Sequence, residues 1–371
     1  MKNTIKYVSL LMTMISFAQE PVTTPISQLS QALDKNVPER MEKKNVPGMA
    51  IAIIDGGTVI YKKGIGLANV DKQVRVGPQT GFNIGSISKM FTAWGTLKLV
   101  EEKRIGLDDP VEKYLSRWKL PDSEFNKEKV TIRSLLSHTG GISVHGYPGF
   151  HPDQKLPTLE ASLDGANGDV RDDEPVKIVI EPQTKFEYSG GGYTLLQLLI
   201  EEVTGKSFAT YIEQNIFKPL KMKHTSFVID KKILKTSATP YDQDGREIYL
   251  ERFTAQAAAG LHTTLDDLIL FAHASLKGNK ILDEKTLKLM RTPVSLSKGN
   301  YGLGYIIYSF GPITVKGHTG TNTGWESAFL LDFEHQNGMI MMSNGSNGKS
   351  VLQQTMRQWV QWKSKQLKTK P

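Results

Sequence analysis

Two blocks of strand-like sequence stand at opposite ends of this chain, and the stretch between them reads as helix and loop. Near the start, Gly48 to Ile54 and Thr58 to Tyr61 are apolar runs on either side of Asp55-Gly56-Gly57, the pattern of a β-hairpin. Near the end, Leu303 to Tyr308, Ile313 to Lys316, Glu326 to Phe333 and Met339 to Ser343 are short runs broken by Gly and Asn, as in an antiparallel meander. Helical spacing with caps or glycine stops marks Thr131 to Leu136, Tyr193 to Thr204, Ser207 to Asn215, Leu265 to Leu276 and Asp283 to Arg291. The expected fold is therefore α+β: one antiparallel sheet built from both ends of the chain, flanked by helices, with a mainly helical lobe inserted. The sheet lobe is expected at about 46–104 and 292–371 and the helical lobe at about 105–291, together one domain over 19–371. Tyr147 to Pro182, rich in Pro, Gly and Asp, reads as a long surface or active-site loop.

With 39% hydrophobic and 23% charged residues, the composition is that of a globular protein and excludes a disordered chain. The formal charge of +8 does not point to nucleic acid. Lys2 and Lys6 belong to a segment expected to be removed, and Lys363, Lys365, Lys368 and Lys370 read as a solvated tail. Met1-Lys2-Asn3, the apolar run Tyr7 to Phe17 and the small-residue stop Ser16-Phe17-Ala18 form a secretory signal peptide over 1–18, with an uncleaved anchor as the alternative. A periplasmic or secreted location is expected, with no stable membrane span after removal. Zero cysteines exclude disulfides, thiolate metal sites and a cysteine nucleophile.

The chemistry gathers around Ser86-Ile87-Ser88-Lys89. Residues three apart on a helix share a face, so the Ser86 hydroxyl and the Lys89 amine can meet. Met90, Phe91, Trp94, Leu97 and Val100 continue a strongly apolar helix, which should hold Lys89 out of water and lower its pKa. Two distant segments add to this pair. Phe186 to Tyr193 is a glycine-rich turn ahead of an apolar helix; within it a phenol held near an ammonium is stabilised as phenolate, so Tyr188 can relay protons. Lys316-Gly317-His318-Thr319-Gly320-Thr321 closes a strand, and an edge strand beside a nucleophile offers backbone N–H groups to an oxyanion or an extended substrate. The same triplet occurs earlier as His138-Thr139-Gly140, read as a helix stop with a structural histidine. Ser343 to Ser350 has some features of a phosphate-binding loop but lacks its first glycine.

With Ser86-x-x-Lys89, Tyr188-Ser189-Gly190 and His318-Thr319-Gly320 in that order, the chain resembles the class C β-lactamase and penicillin-binding-protein-like serine hydrolases. Thr131 to Gly141, and Tyr193-Thr194-Leu195-Leu196 running to Val203-Thr204-Gly205, are also familiar for that family, and the resemblance spans about Val46 to Ser343. It implies a two-lobed fold with a cleft between an antiparallel sheet and a helical lobe. It also implies acyl transfer without metal or organic cofactor. Lys89, helped by Tyr188, takes the Ser86 proton; the N–H groups of Ser86 and Thr321 hold the oxyanion; Gly190, His318 and Gly320 line the substrate. Two departures stand out: the second motif ends in Gly190 where Asn is common, and the third begins with His318 where efficient β-lactamases have Lys. A neutral His lacks the fixed charge that holds a substrate carboxylate. Esters, amides and D-amino-acid peptides are thus expected as small-molecule or peptide substrates, some of them cell-wall derived. The alternatives are a β-lactamase or D-Ala-D-Ala carboxypeptidase, and a slowly deacylating penicillin-binding protein.

Overall fold

The structure, a computed structural model, describes residues 25–166 and 174–369. The leader expected at 1–18, Lys370 and the middle of the 147–182 stretch lie outside the described residues.

Nine strands are present among the described residues: β1 (Gly48–Asp55), β2 (Thr58–Asn69), β3 (Val74–Arg75), β4 (Gly81–Asn83), β5 (His262–Thr264), β6 (Ile306–Phe310), β7 (Ile313–Asn322), β8 (Trp325–Asp332) and β9 (Asn337–Ser343). Seven form one sheet in the order β3-β2-β1-β9-β8-β7-β6. The hairpin joins the last meander strand, β9, at the centre of the sheet, with Ala50 opposite Met342 and Ala52 opposite Ile340 in antiparallel register. One sheet built from both ends of the chain is thus what forms. The second meander strand, β7, runs past Lys316 and carries the whole His318-Thr319-Gly320 triplet inside it. A small second sheet pairs β4 with β5, placing Asn83 opposite His262.

Eleven α-helices surround these sheets among the described residues: α1 (Pro25–Glu42), α2 (Ser88–Glu101), α3 (Ile132–Leu136), α4 (Leu159–Leu163), α5 (Gly190–Thr204), α6 (Phe208–Ile212), α7 (Lys231–Thr236), α8 (Gln256–Ala259), α9 (Leu265–Lys277), α10 (Glu284–Met290) and α11 (Gly348–Thr369). Local chemistry sets their ends. Ser189 caps α5 by accepting the Gly192 N–H, and Gly205 at φ +66° stops it. Thr264 caps α9 in the same way through Asp267 N–H.

Successive side chains of a strand point to opposite faces, and both faces of the central strands are buried, which explains why β1 shows no polar alternation. Met49, Ile51 and Ile53 pack with Leu330 and Met341 against Leu33 and Val37 of α1 and Val351 and Trp359 of α11. Ala50, Ala52 and Ile54 face the other way, into the large core that includes Phe91 and Trp94 of α2 and Phe271 of α9.

Several expectations are corrected. No element was expected before residue 46, yet α1 covers one sheet face. Lys363 is not in a solvated tail: it is buried on α11 and paired with Asp55 at the end of β1. Helix α9 falls within the segment assigned to the helical lobe but packs on β1 and β9, so no single cut near residue 291 separates the lobes. The described parts of the 147–182 stretch are anchored: they hold α4, bridge Phe150 to Arg252 and bury Tyr147, Leu163 and Val176. No helix among the described residues is long and apolar enough to cross a membrane.

Candidate active site

Ser86 sits in a tight turn between β4 and α2. The Asn83 side chain accepts the Gly85 N–H at 2.9 Å, and Gly85 takes φ +50°, a conformation open to glycine, so the chain reverses into the 3-10 turn Gly85–Ile87. One turn on, Lys89 is only 2% exposed. Its Nζ donates to the Ala258 carbonyl of α8 at 2.7 Å and lies 3.2 Å from Ser86 Oγ. Burial penalises the ammonium and pushes the amine down to about 7. A hydroxyl and a base that is half neutral near pH 7 therefore share a hydrogen bond.

Tyr188 closes the opposite side. Its ring centroid is 4.9 Å from Lys89 Nζ, and its phenol lies near the Ser86 hydroxyl. Burial pushes that phenol up rather than down, so the expected phenolate is replaced by a neutral phenol able to donate a proton. Gly190 lies beside it, but its N–H is spent on the His145 carbonyl at 3.0 Å, and a Cβ there would stand 3.1 Å from the same oxygen. Gly190 therefore spaces the turn from the His145 segment and has no free N–H for a ligand.

Strand β7 forms the third wall. Strand β6 pairs with β7 only as far as Gly317, so residues 318–322 have β8 on one side and no strand on the other among the described residues. Gly320 packs directly on the turn that carries Ser86: a Cβ there would be 1.9 Å from the Ile84 carbonyl, and one on Gly85 would be 2.7 Å from Thr321 N. The backbone of Ile84-Gly85, just ahead of Ser86, and that of Gly320-Thr321 are thus held in contact. Thr321 is exposed, and its hydroxyl donates to Glu326 at 2.9 Å; burial pushes the Glu326 carboxyl up to about 7. His318 is 1% exposed, with its ring 6.2 Å from that of Tyr188. Burial, then the nearby Lys89 charge, pushes it down to about 3, so it is neutral at pH 7. Ser86, Lys89, Tyr188, His318, Gly320 and Thr321 are gathered around one point, with Gly190 just behind.

Asn322 and Tyr301 were not picked out as site residues in the sequence, and His138 was read there only as a structural histidine. Asn322 donates to Asn83 at 2.7 Å and to the Ala259 carbonyl at 3.0 Å, tying the end of β7 to the Ser86 turn and to α8. His138 does follow a helix stop, at φ +57° after α3, but its ring also accepts the Ser189 N–H at 3.0 Å and lies tilted against Tyr188, with ring centroids 4.2 Å apart. Tyr301, in a polar Ser-Lys-Gly-Asn loop that gave no signal, is fully buried against both His138 and His318.

A family model described as Beta-lactamase matches residues 33–361. The chain belongs to the beta-lactamase family. This beta-lactamase-family chain is 29% identical over 322 residues to Protein flp of Staphylococcus aureus (strain N315), covering 85% of the chain and 63% of flp, so it spans less than two-thirds of that relative. Among solved structures it is similar to the octameric penicillin-binding protein homologue from Pyrococcus abyssi, at 32% identity and TM-score 0.73 over 85% of this chain and 74% of that one. It is also similar to a D-stereospecific amidohydrolase from Streptomyces sp., at 25% identity and TM-score 0.69 over 87% and 96% of the two chains.

Proposed function

We propose that this chain is a serine hydrolase that cleaves an ester, amide or D-amino-acid peptide bond through a covalent acyl-Ser86 intermediate. The supporting observation is the pair formed by Ser86 Oγ and a buried, largely desolvated Lys89 amine 3.2 Å away. In acylation, Ser86 Oγ bonds to the substrate carbonyl carbon while its proton passes to Lys89 Nζ; the oxyanion rests on the N–H groups of Ser86 and Thr321. The carbon–nitrogen or carbon–oxygen bond then breaks, the leaving group taking a proton from Tyr188 or Lys89. Water adds to the ester by the same route in reverse and frees Ser86. The D-stereospecificity named for the Streptomyces relative supports D-residues, including cell-wall fragments, as substrates. A periplasmic or secreted site of action goes with the leader-like residues 1–18.

A burial that keeps His318 uncharged weighs against β-lactamase or D-Ala-D-Ala carboxypeptidase action, where a substrate carboxylate needs a cation. A slowly deacylating binder is the second reading, favoured by the missing side-chain amide at Gly190. Purified protein should release product from p-nitrophenyl butyrate and from a D-amino-acid amide at a steady rate. A single burst would favour the binder. Ser86→Ala should abolish both turnover and fluorophosphonate labelling, and labelling that survives in that variant would end the proposal.

A further inference from the structure

His138 of the first His-Thr-Gly triplet and His318 of the second come from segments 180 residues apart in the chain, yet one hydroxyl joins them. His138 Nε2 is 3.1 Å from Tyr301 Oη, and Tyr301 Oη is 3.4 Å from His318 Nε2. Both ends of this row terminate on backbone groups whose roles are fixed. The Ser189 N–H can only donate, and it points at His138 Nδ1 from 3.0 Å. The Thr319 carbonyl can only accept, and it lies 2.5 Å from His318 Nδ1. Nδ1 of His138 is thus bare and its hydrogen is on Nε2, facing the Tyr301 oxygen. Nδ1 of His318 carries the hydrogen and its Nε2 is bare, facing the Tyr301 hydroxyl. The two histidines must be opposite tautomers, and Tyr301, accepting from one and donating to the other, is the group that can satisfy both. Tyr193, whose own hydrogen goes to the Leu136 carbonyl at 2.9 Å, can act toward Tyr301 only as an acceptor and so competes with His318 Nε2 for the Tyr301 hydrogen.

We propose that His138 and Tyr301 are positioning residues that lock His318 as a neutral Nδ1–H imidazole, and that the groove thereby selects substrates whose leaving side carries no carboxylate. The row runs unbroken from the backbone of the Tyr188 turn to the backbone of β7, so it also fixes the distance between two walls of the site. All three rings are buried, and Phe186, Tyr188 and Tyr193 pack around His138. A cation on either histidine would face the Lys89 amine without a counter-charge. Where a lysine would offer a substrate carboxylate a charge, His318 offers a lone pair already capped by a phenol. The specificity half of this proposal rests on the hydrolase reading above; the tautomer half does not.

Long-range 15N–1H correlation spectra of histidine-labelled Ser86→Ala protein, assigned with His138→Gln and His318→Gln, test the first half without any turnover. The expected result at pH 7 is one bare Nδ1 and one bare Nε2 for His138 and His318 respectively. The same tautomer on both, or a doubly protonated ring, would overturn it. In Tyr301→Phe, which keeps the ring, the His318 Nε2 resonance should move toward that of an unbonded nitrogen; an unmoved resonance would remove Tyr301 from its role. For the second half, the active protein should cleave a D-alanyl-D-alanine amide at least tenfold faster, in kcat/KM, than the dipeptide with a free carboxylate, and His318→Lys should narrow that ratio. Equal rates on the two substrates would refute the selection while leaving the hydrolase reading intact.

Discussion

Lys89 shows what the site costs the fold. Its amine titrates near 7 in the folded chain and near its ordinary 10.5 when unfolded, so between those values the unfolded state binds the extra proton and stability rises with pH. The penalty is fully present below pH 7 and gone above about 10.5, and at full size amounts to about 5 kcal/mol. Lys89→Met keeps the volume and removes the charge, but leaves the Ala258 carbonyl without its donor, a loss of about 1–3 kcal/mol. The variant should therefore be the more stable protein near pH 7, by about 2 kcal/mol in urea unfolding, while losing at least a hundredfold in kcat. A variant less stable than the parent would show that the amine is not desolvated as described. Because the base must be neutral, kcat/KM of the parent should climb with pH and level off above about 7; a profile flat from pH 5 to 9 would exclude Lys89 as the base. Much of this was legible: the Ser86 and Lys89 spacing and the apolar residues after them announce both the contact and the burial. The state of Tyr188 was not, because whether a phenol near an amine ionises depends on how dry its surroundings are, and no local pattern reports that.

Between elements, the contact that matters is backbone on backbone. Strand β7 meets the Ser86 turn where Gly320 faces the Ile84 carbonyl, and a methyl group there would stand 1.9 Å from that oxygen. Neither partner is a flexible side chain, so Gly320→Ala must drive β7 and Ser86 apart. A displacement of about 1 Å between nucleophile and oxyanion donors is expected to reduce kcat/KM by about a hundredfold. Gly77→Ala, with nothing within 4 Å of the new carbon and no positive φ, should leave activity and melting unchanged. If the two variants behave alike, the contact does not set the site. Strands and capped helices were readable from period and turn chemistry, as Ser189, Thr264 and the Asp-Gly-Gly turn show. Helix α1 was missed although Leu29, Leu33, Val37 and Met41 repeat every four residues, because Pro38 interrupts the pattern in sequence. The joining of His138 to His318 had no sequence signal at all, since Tyr301 lies in an ordinary polar loop.

At the scale of the molecule, α1 and α11 together cover a sheet face that includes Met49, Ile51, Ile53, Leu330 and Met341. Ending the chain after Lys349 would bare those side chains along the middle of the sheet, at roughly 1.5–3 kcal/mol for each large one exposed. Such a truncation should be insoluble or bind a hydrophobic dye strongly, although every residue of the site is retained; a soluble, active product would mean that α11 is dispensable. The α+β class was within reach of sequence because the strand blocks are so strongly apolar, but what covers each face was not. The central seam of the sheet joins β1 to β9, segments lying about 290 residues apart. During synthesis the first hairpin therefore waits with one apolar edge unpaired until the last strand, β9, has left the ribosome, so slow folding and an early need for a chaperone are the expected consequences.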